Sequence, residues 1–172
     1  MQSTLLPFLQ WLMDTPLAIA IAENEVLFPW IEAFHVLGVT LVFGSIVLVD
    51  LRLLNVGFRD REINQFCSQY LSITWIAFLL SLVTGGLLFI SNALSYANNS
   101  NFLFKICLLI CAGINMSIFQ HLYGKKLSDW KVSNELPVMA KVGATCSILI
   151  WTGVIIFGRL IGFSLVPTLS NS

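Results

Sequence analysis

The sequence predicts an all-α integral membrane protein, a four-helix bundle preceded by short N-terminal interfacial helices. Three observations carry that prediction. Four long apolar stretches, Val26–Val49, Leu71–Leu94, Phe102–Gln120 and Val138–Val166, reach or approach the roughly 20 residues that a helix needs to cross a bilayer. The chain is 57% hydrophobic and only 10% charged, with a mean hydropathy of +0.85. Its polar connections are about 15 residues at most, too short to fold alone, so 172 residues make one bundle and no separate soluble domain. Within lipid every backbone N–H and C=O must be paired inside the protein, which makes such stretches helices.

The N-terminal segment, residues 1–25, comes first and reads as interfacial. It has no basic n-region and no small-residue cleavage site, unlike an ordinary secretory signal. Leu5, Phe8, Leu9 and Leu12 recur at helical spacing, and Thr15-Pro16 reads as an N-cap followed by proline at the first helical position. Two short helices, Thr4–Met13 and Pro16–Ala22, are expected at the outer interface. A single crossing helix from Leu5 to Ala22 is the alternative, and it would bury Asp14 and two prolines.

The bundle, residues 26–172, follows with spans at about 26–50, 68–94, 102–123 and 138–166. Pro29 and Trp30 suit the start of the first span, where a missing N–H is tolerated and an indole meets the headgroups. Gly38, Gly44, Gly85, Gly86, Gly113, Gly153 and Gly158 are expected to let helices approach closely. Asn98, Asn99, Ser100 and Asn101 form a turn, and Asn98-Asn99-Ser100 fits a glycosylation sequon. The four cysteines, Cys67, Cys107, Cys111 and Cys146, form no CxxC pair and read as small hydrophobes.

Basic residues set the orientation. Arg52, Arg59 and Arg61 follow the first span, and Lys125, Lys126, Lys131 and Lys141 lie around the third connection. Seven of the nine basic residues thus mark those two connections as cytoplasmic. Four spans then leave both termini periplasmic, in a bacterial inner membrane. The formal net charge of zero offers no basic stripe for nucleic acid. The lipid bilayer is the expected partner, with a homo-oligomer or a partner membrane subunit as further candidates.

Ionisable groups at membrane depth are expensive and usually have a partner or a task. At about 1.5 Å of rise per residue, Glu32 and His35 lie about 8 and 12 Å below the outer surface, Lys105 about 5 Å and Arg159 about 10 Å. These four residues from three helices form the expected outer-leaflet site. Glu32 and His35 are i, i+3 and share a face that continues through Val39, Val42 and Ile46 to Asp50. A Glu32–Arg159 ion pair is expected. A second polar level holds Asp50, Arg52 and His121, with Asn115 between the two. His35 and His121 are the only histidines and lie about 18 Å apart along the membrane normal, too far to ligate one haem together.

The runs TPLAIAIAENEVLFPWIEAFHVLG, VDLRLLN, FLFK followed by GIN, and WTGVIIFGRLIGF resemble a family of small bacterial membrane proteins of unknown function. That family is in turn loosely similar to the membrane part of copper-resistance D-type proteins, although Met-rich and His-rich tracts are lacking here. The resemblance marks Glu32, His35, Asp50, Arg52, Lys105, Asn115 and Arg159 as motif positions and implies no activity.

Two classes of function remain. In the redox class His35 is the candidate metal ligand of a b-type haem whose propionates meet Arg159 and Lys105, or the same cluster takes a quinone head group. In the other class the protein is a non-enzymatic accessory subunit, a small transporter or a metal-handling protein. No nucleophile–base pair or glycine-rich loop supports a hydrolase or a transferase.

Overall fold

The computed structural model describes residues 2–58, 63–123 and 137–165. Arg59, Arg61, Lys125, Lys126 and Lys131, on which the expected orientation leans, lie outside them. The described residues are all-helical: α1 (Gln2–Met13), α2 (Pro16–Glu23), α3 (Leu27–Leu53), α4 (Ile63–Ser91), α5 (Ala93–Ala97), α6 (Ser100–Tyr123) and α7 (Val138–Leu165). Four of these, α3, α4, α6 and α7, are long and apolar enough to cross a membrane.

The expected break at Thr15-Pro16 is present. Thr15 is extended at φ −68° and ψ 141°, and its hydroxyl oxygen accepts from the Ala18 N–H at 3.4 Å. α1 and α2 therefore meet at a bend of 65°. α2 is docked on the bundle: Ala18 and Ile21 are each 1% exposed, and Ile21 packs with Ile31 and Leu88. Fully burying a side chain such as Ile21 stabilises by about 1.5–3 kcal/mol.

α3 runs past the expected end at residue 50, to Leu53. It closes with Asn55 in the left-handed region at φ 61°, a conformation asparagine tolerates better than most residues. The Val56 N–H then reaches Leu51 O at 3.1 Å and the Asn55 N–H reaches Arg52 O at 3.2 Å, the two bonds of a Schellman closure. The second span starts earlier than expected, at Ile63, and stops at Ser91, because Asn92 breaks the helix at φ −152° and starts α5. Asn99 caps α6: its side-chain oxygen accepts from the N–H groups of Asn101 at 2.9 Å and Phe102 at 3.3 Å. Its amide donates to Ser164 Oγ at 2.7 Å, fastening the start of α6 to the end of α7.

α3 packs along α4, α6 packs along α7, and the two hairpins join where α3 touches α7. α4 and α6 scarcely meet. Three of the seven expected close-approach glycines hold helices together tightly. A Cβ on Gly38 would run into Ser81 of α4, one on Gly85 would lie 2.9 Å from His35, and one on Gly153 would lie 2.9 Å from Leu108. Gly158 meets Lys105 at ordinary contact distance, whereas Gly44, Gly86 and Gly113 face open space. Only 22%, 17%, 6% and 17% of the most apolar windows of α3, α4, α6 and α7 are buried, so most of their apolar surface faces outward.

Candidate functional site

The outer cluster expected from depth separates into two parts. His35, on α3, is half-buried against α4, with Nδ1 at 3.0 Å from Ser81 O and 3.2 Å from Thr84 Oγ1. A backbone carbonyl can only accept, and the Thr84 hydroxyl already donates to Leu80 O at 2.7 Å, so Nδ1 carries the proton. Lys105, on α6, is also half-buried, lies across Gly158 and is within electrostatic reach of His35. These two residues come together.

Glu32 and Arg159 do not join them, and the expected ion pair is absent. Both are exposed. Arg159 lies 5.1 Å above the Phe163 ring on its own helix, while Glu32 neighbours Tyr96 of α5. Matched depth fixes the level of a residue along a helix but not the side it faces. The shared α3 face holds from His35 through Val42 to Asp50 and fails at Glu32, one turn from the helix start. Tyr96 packs against Phe89 and Phe102, and its phenol pKa is raised by burial and, secondarily, by the Glu32 carboxylate.

The second polar level borders a cavity. The space, about 540 Å³, opens where α4 and α6 fail to meet. Its size is within the roughly 300–1,000 Å³ usual for small-molecule sites. α3 contributes Val42, Ile46 and Asp50; α4 contributes Cys67, Thr74, Trp75 and Phe78. α6 adds Asn115, Met116 and Phe119, and α7 adds Gly143, Ser147 and Trp151. The walls are mostly apolar, with a few convergent polar groups.

Asp50 is 5% exposed. Ser147, itself buried, hydrogen-bonds the Asp50 carboxylate, but Asp50 Oδ2 has no hydrogen-bond partner. A buried acceptor left unmade costs about 1–3 kcal/mol, and more when charged. Asn115 Nδ2 donates to Gly143 O at 3.3 Å, tying α6 to α7 beside the cavity. Arg52 is 3% exposed and, like Asp50, within electrostatic reach of Cys67, but it does not line the cavity. His121 is exposed near the end of α6 and stands outside it. The second level thus supplies Asp50 and Asn115, while Ser147, Thr74, Trp75 and Trp151 were not singled out. Ser147 and Thr74 carry a legible signal, each a polar residue within an apolar span.

Cys67 is fully buried and behaves as the expected small hydrophobe, whereas Cys107, Cys111 and Cys146 are exposed. Among the described residues no three of His, Cys, Asp and Glu gather as metal ligands.

A family model described as a family of unknown function (DUF6644) matches residues 17–164. No curated protein matches, no solved structure matches, and no link to copper-resistance D-type proteins is found.

Proposed function

The chain belongs to the DUF6644 family of unknown function, and we propose that it is a multi-pass membrane protein binding a small amphipathic molecule between its spans, at the Asp50 level. The carrying observation is the cavity itself: about 540 Å³, walled by apolar and aromatic side chains, with one incompletely satisfied buried carboxylate. Binding followed by release makes such a protein a carrier or an accessory subunit, and nothing in the reading requires bond-making chemistry.

Membrane insertion is part of this reading. Its support is the outward apolar surface: Trp75 at 54%, Ile76 at 74%, Ile110 at 60% and Leu149 at 67% exposure would form patches that water does not tolerate and lipid does. The basic bias of two connections argues for a bacterial inner membrane with residues 1–25 and the C-terminus on the periplasmic side. The Asp50 cavity then lies in the cytoplasmic half.

Gly113 lines the cavity and a Cβ there meets nothing within 4 Å, so Gly113→Phe is the variant chosen to put a ring into the space. Mass spectrometry of the small molecules that co-purify with the protein tests the reading. A compound carried by the wild type and lost from Gly113→Phe is expected. The same compounds in both preparations would contradict it.

One observation favours a second, redox reading. With the Nδ1 proton directed at Ser81 O, His35 is left with Nε2 as its free lone pair, the tautomer of an axial haem ligand. Lys105 stands near enough to meet a propionate or a quinone oxygen. Against it, the cavity stops at Val42 and does not include His35, and Arg159 points away. An absorption spectrum of the purified protein decides: a Soret band lost in His35→Ala would establish haem, and a colourless protein would remove it.

A further inference from the structure

We propose that the molecule taken by the Asp50 cavity is a lipophilic organic cation, its positive centre held by the Asp50 carboxylate and its apolar groups by the surrounding rings. The proposal rests on the reading of the cavity as a ligand site and adds the charge and character of the ligand.

Several small polar side chains of the cavity spend their hydrogens within the protein, while the Gln120 amide and the Trp75 and Trp151 indoles of the same lining also carry N–H groups. The Ser68 hydroxyl donates to Gln65 O at 3.1 Å, and the Thr74 hydroxyl donates to Tyr70 O at 2.8 Å. The Ser147 hydroxyl bonds the Asp50 carboxylate, and Asn115 spends an amide hydrogen on Gly143 O. What these groups turn to a guest is mainly lone pairs. An ionised carboxylate accepts only, at about four lone-pair sites, and Asp50 Oδ2 uses none. A ligand completing this set must donate hydrogen bonds or carry positive charge. An oxidised quinone, which offers only acceptors, would leave Asp50 Oδ2 unmet.

The walls narrow the choice further. Trp75 and Phe78 of α4, Phe119 of α6 and Trp151 of α7 put four aromatic side chains in the walls of the cavity that Asp50 also lines. Aromatic faces attract cations, more strongly where water is excluded. A strongly hydrated ion gains little from such walls, whereas a charge shielded by apolar groups gains from rings and carboxylate together. Oδ2 is shielded from solvent, but the terminal torsion of aspartate is broad, so the carboxyl group turns toward a guest at small cost. Among the described residues, Arg52 and Cys67 are charged or titratable neighbours on this level, and Asp50 Oδ2 itself has no hydrogen-bond partner.

Equilibrium dialysis tests the proposal on the full chain in neutral phosphatidylcholine nanodiscs, with empty nanodiscs subtracted. The probes are tetraphenylphosphonium, tetraphenylborate of the same shape and opposite charge, and neutral triphenylphosphine oxide. Saturable binding of the phosphonium is expected, at least tenfold tighter than either other probe and abolished in Gly113→Phe. Asp50→Asn should remove the tenfold preference while Asp50→Glu keeps it. If neutral and cationic probes bind the wild type equally and both are lost in Gly113→Phe, the cation proposal is overturned and the cavity reading survives. If no probe saturates, or Gly113→Phe changes nothing, the cavity reading falls and takes the proposal with it. The wild-type comparison of opposite charges decides even where an Asp50 variant fails to fold.

Discussion

Gly85 has no Cβ at the place where the His35 ring lies, and a methyl added there would sit 2.9 Å from Cε1. The ring would have to shift, straining its bonds to Ser81 O and Thr84. Overpacking of this kind costs about 1–3 kcal/mol. Gly85→Ala should therefore lower the melting temperature in detergent, while Gly86→Ala, which meets nothing within 4 Å, should stay within about 0.5 kcal/mol of wild type. Equal losses would refute the His35 packing. Tyr96 gives a second test at this scale. Its pKa is raised in the folded protein by burial and by Glu32, so its contribution to stability is fully present below the unfolded value of 10.0 and is lost as pH rises through the folded one. Ultraviolet titration should show Glu32→Gln bringing the phenol back toward its ordinary value, and an unchanged titration would remove Glu32 as a cause. Glu32 also marks where sequence reading stopped. The level of Glu32 and Arg159 along their helices was legible from rise per residue, but the direction each side chain faces depends on helix rotation, which no count of residues supplies.

At the scale of elements, the helices were legible because local chemistry specifies them. Thr15-Pro16 starts α2, and Asn99 caps α6 as a polar turn between two apolar runs should. The ends at Leu53 and Ser91 were less legible, because the closure at Asn55 and the break at Asn92 depend on backbone angles that apolar periodicity does not encode. The docking of α2 was not legible at all: the apolar residues of this eight-residue helix look alike until a partner surface selects Ala18 and Ile21. That selection predicts a contrast. Ile21→Ala, at 1% exposure, should cost about 2–5 kcal/mol of stability in detergent unfolding. Ile19→Ala, at 42% exposure, should cost well under half as much. Similar costs at the two positions would mean that α2 is not held against α4.

For the whole molecule, four apolar runs announced four long helices, yet the cavity follows from how the two hairpins lean on each other through α3 and α7. That pairwise geometry leaves α4 and α6 apart and opens a cavity at the level of Asp50 and Asn115. The basic connections argue for the proposed orientation of the bundle. A periplasm-dependent reporter should be active when fused at Asn99 and silent at Ser128, and activity at Ser128 would invert the arrangement. The central claim is that the space beside Asp50 holds a molecule. An experimental density map of the wild-type protein in nanodiscs, compared with one of Gly113→Phe, tests it most directly. The account predicts non-protein density in the wild type among Trp75, Phe78 and Trp151, within hydrogen-bond distance of Asp50, and none in the variant. A wild-type map in which α4 and α6 close together and the space is gone would contradict it.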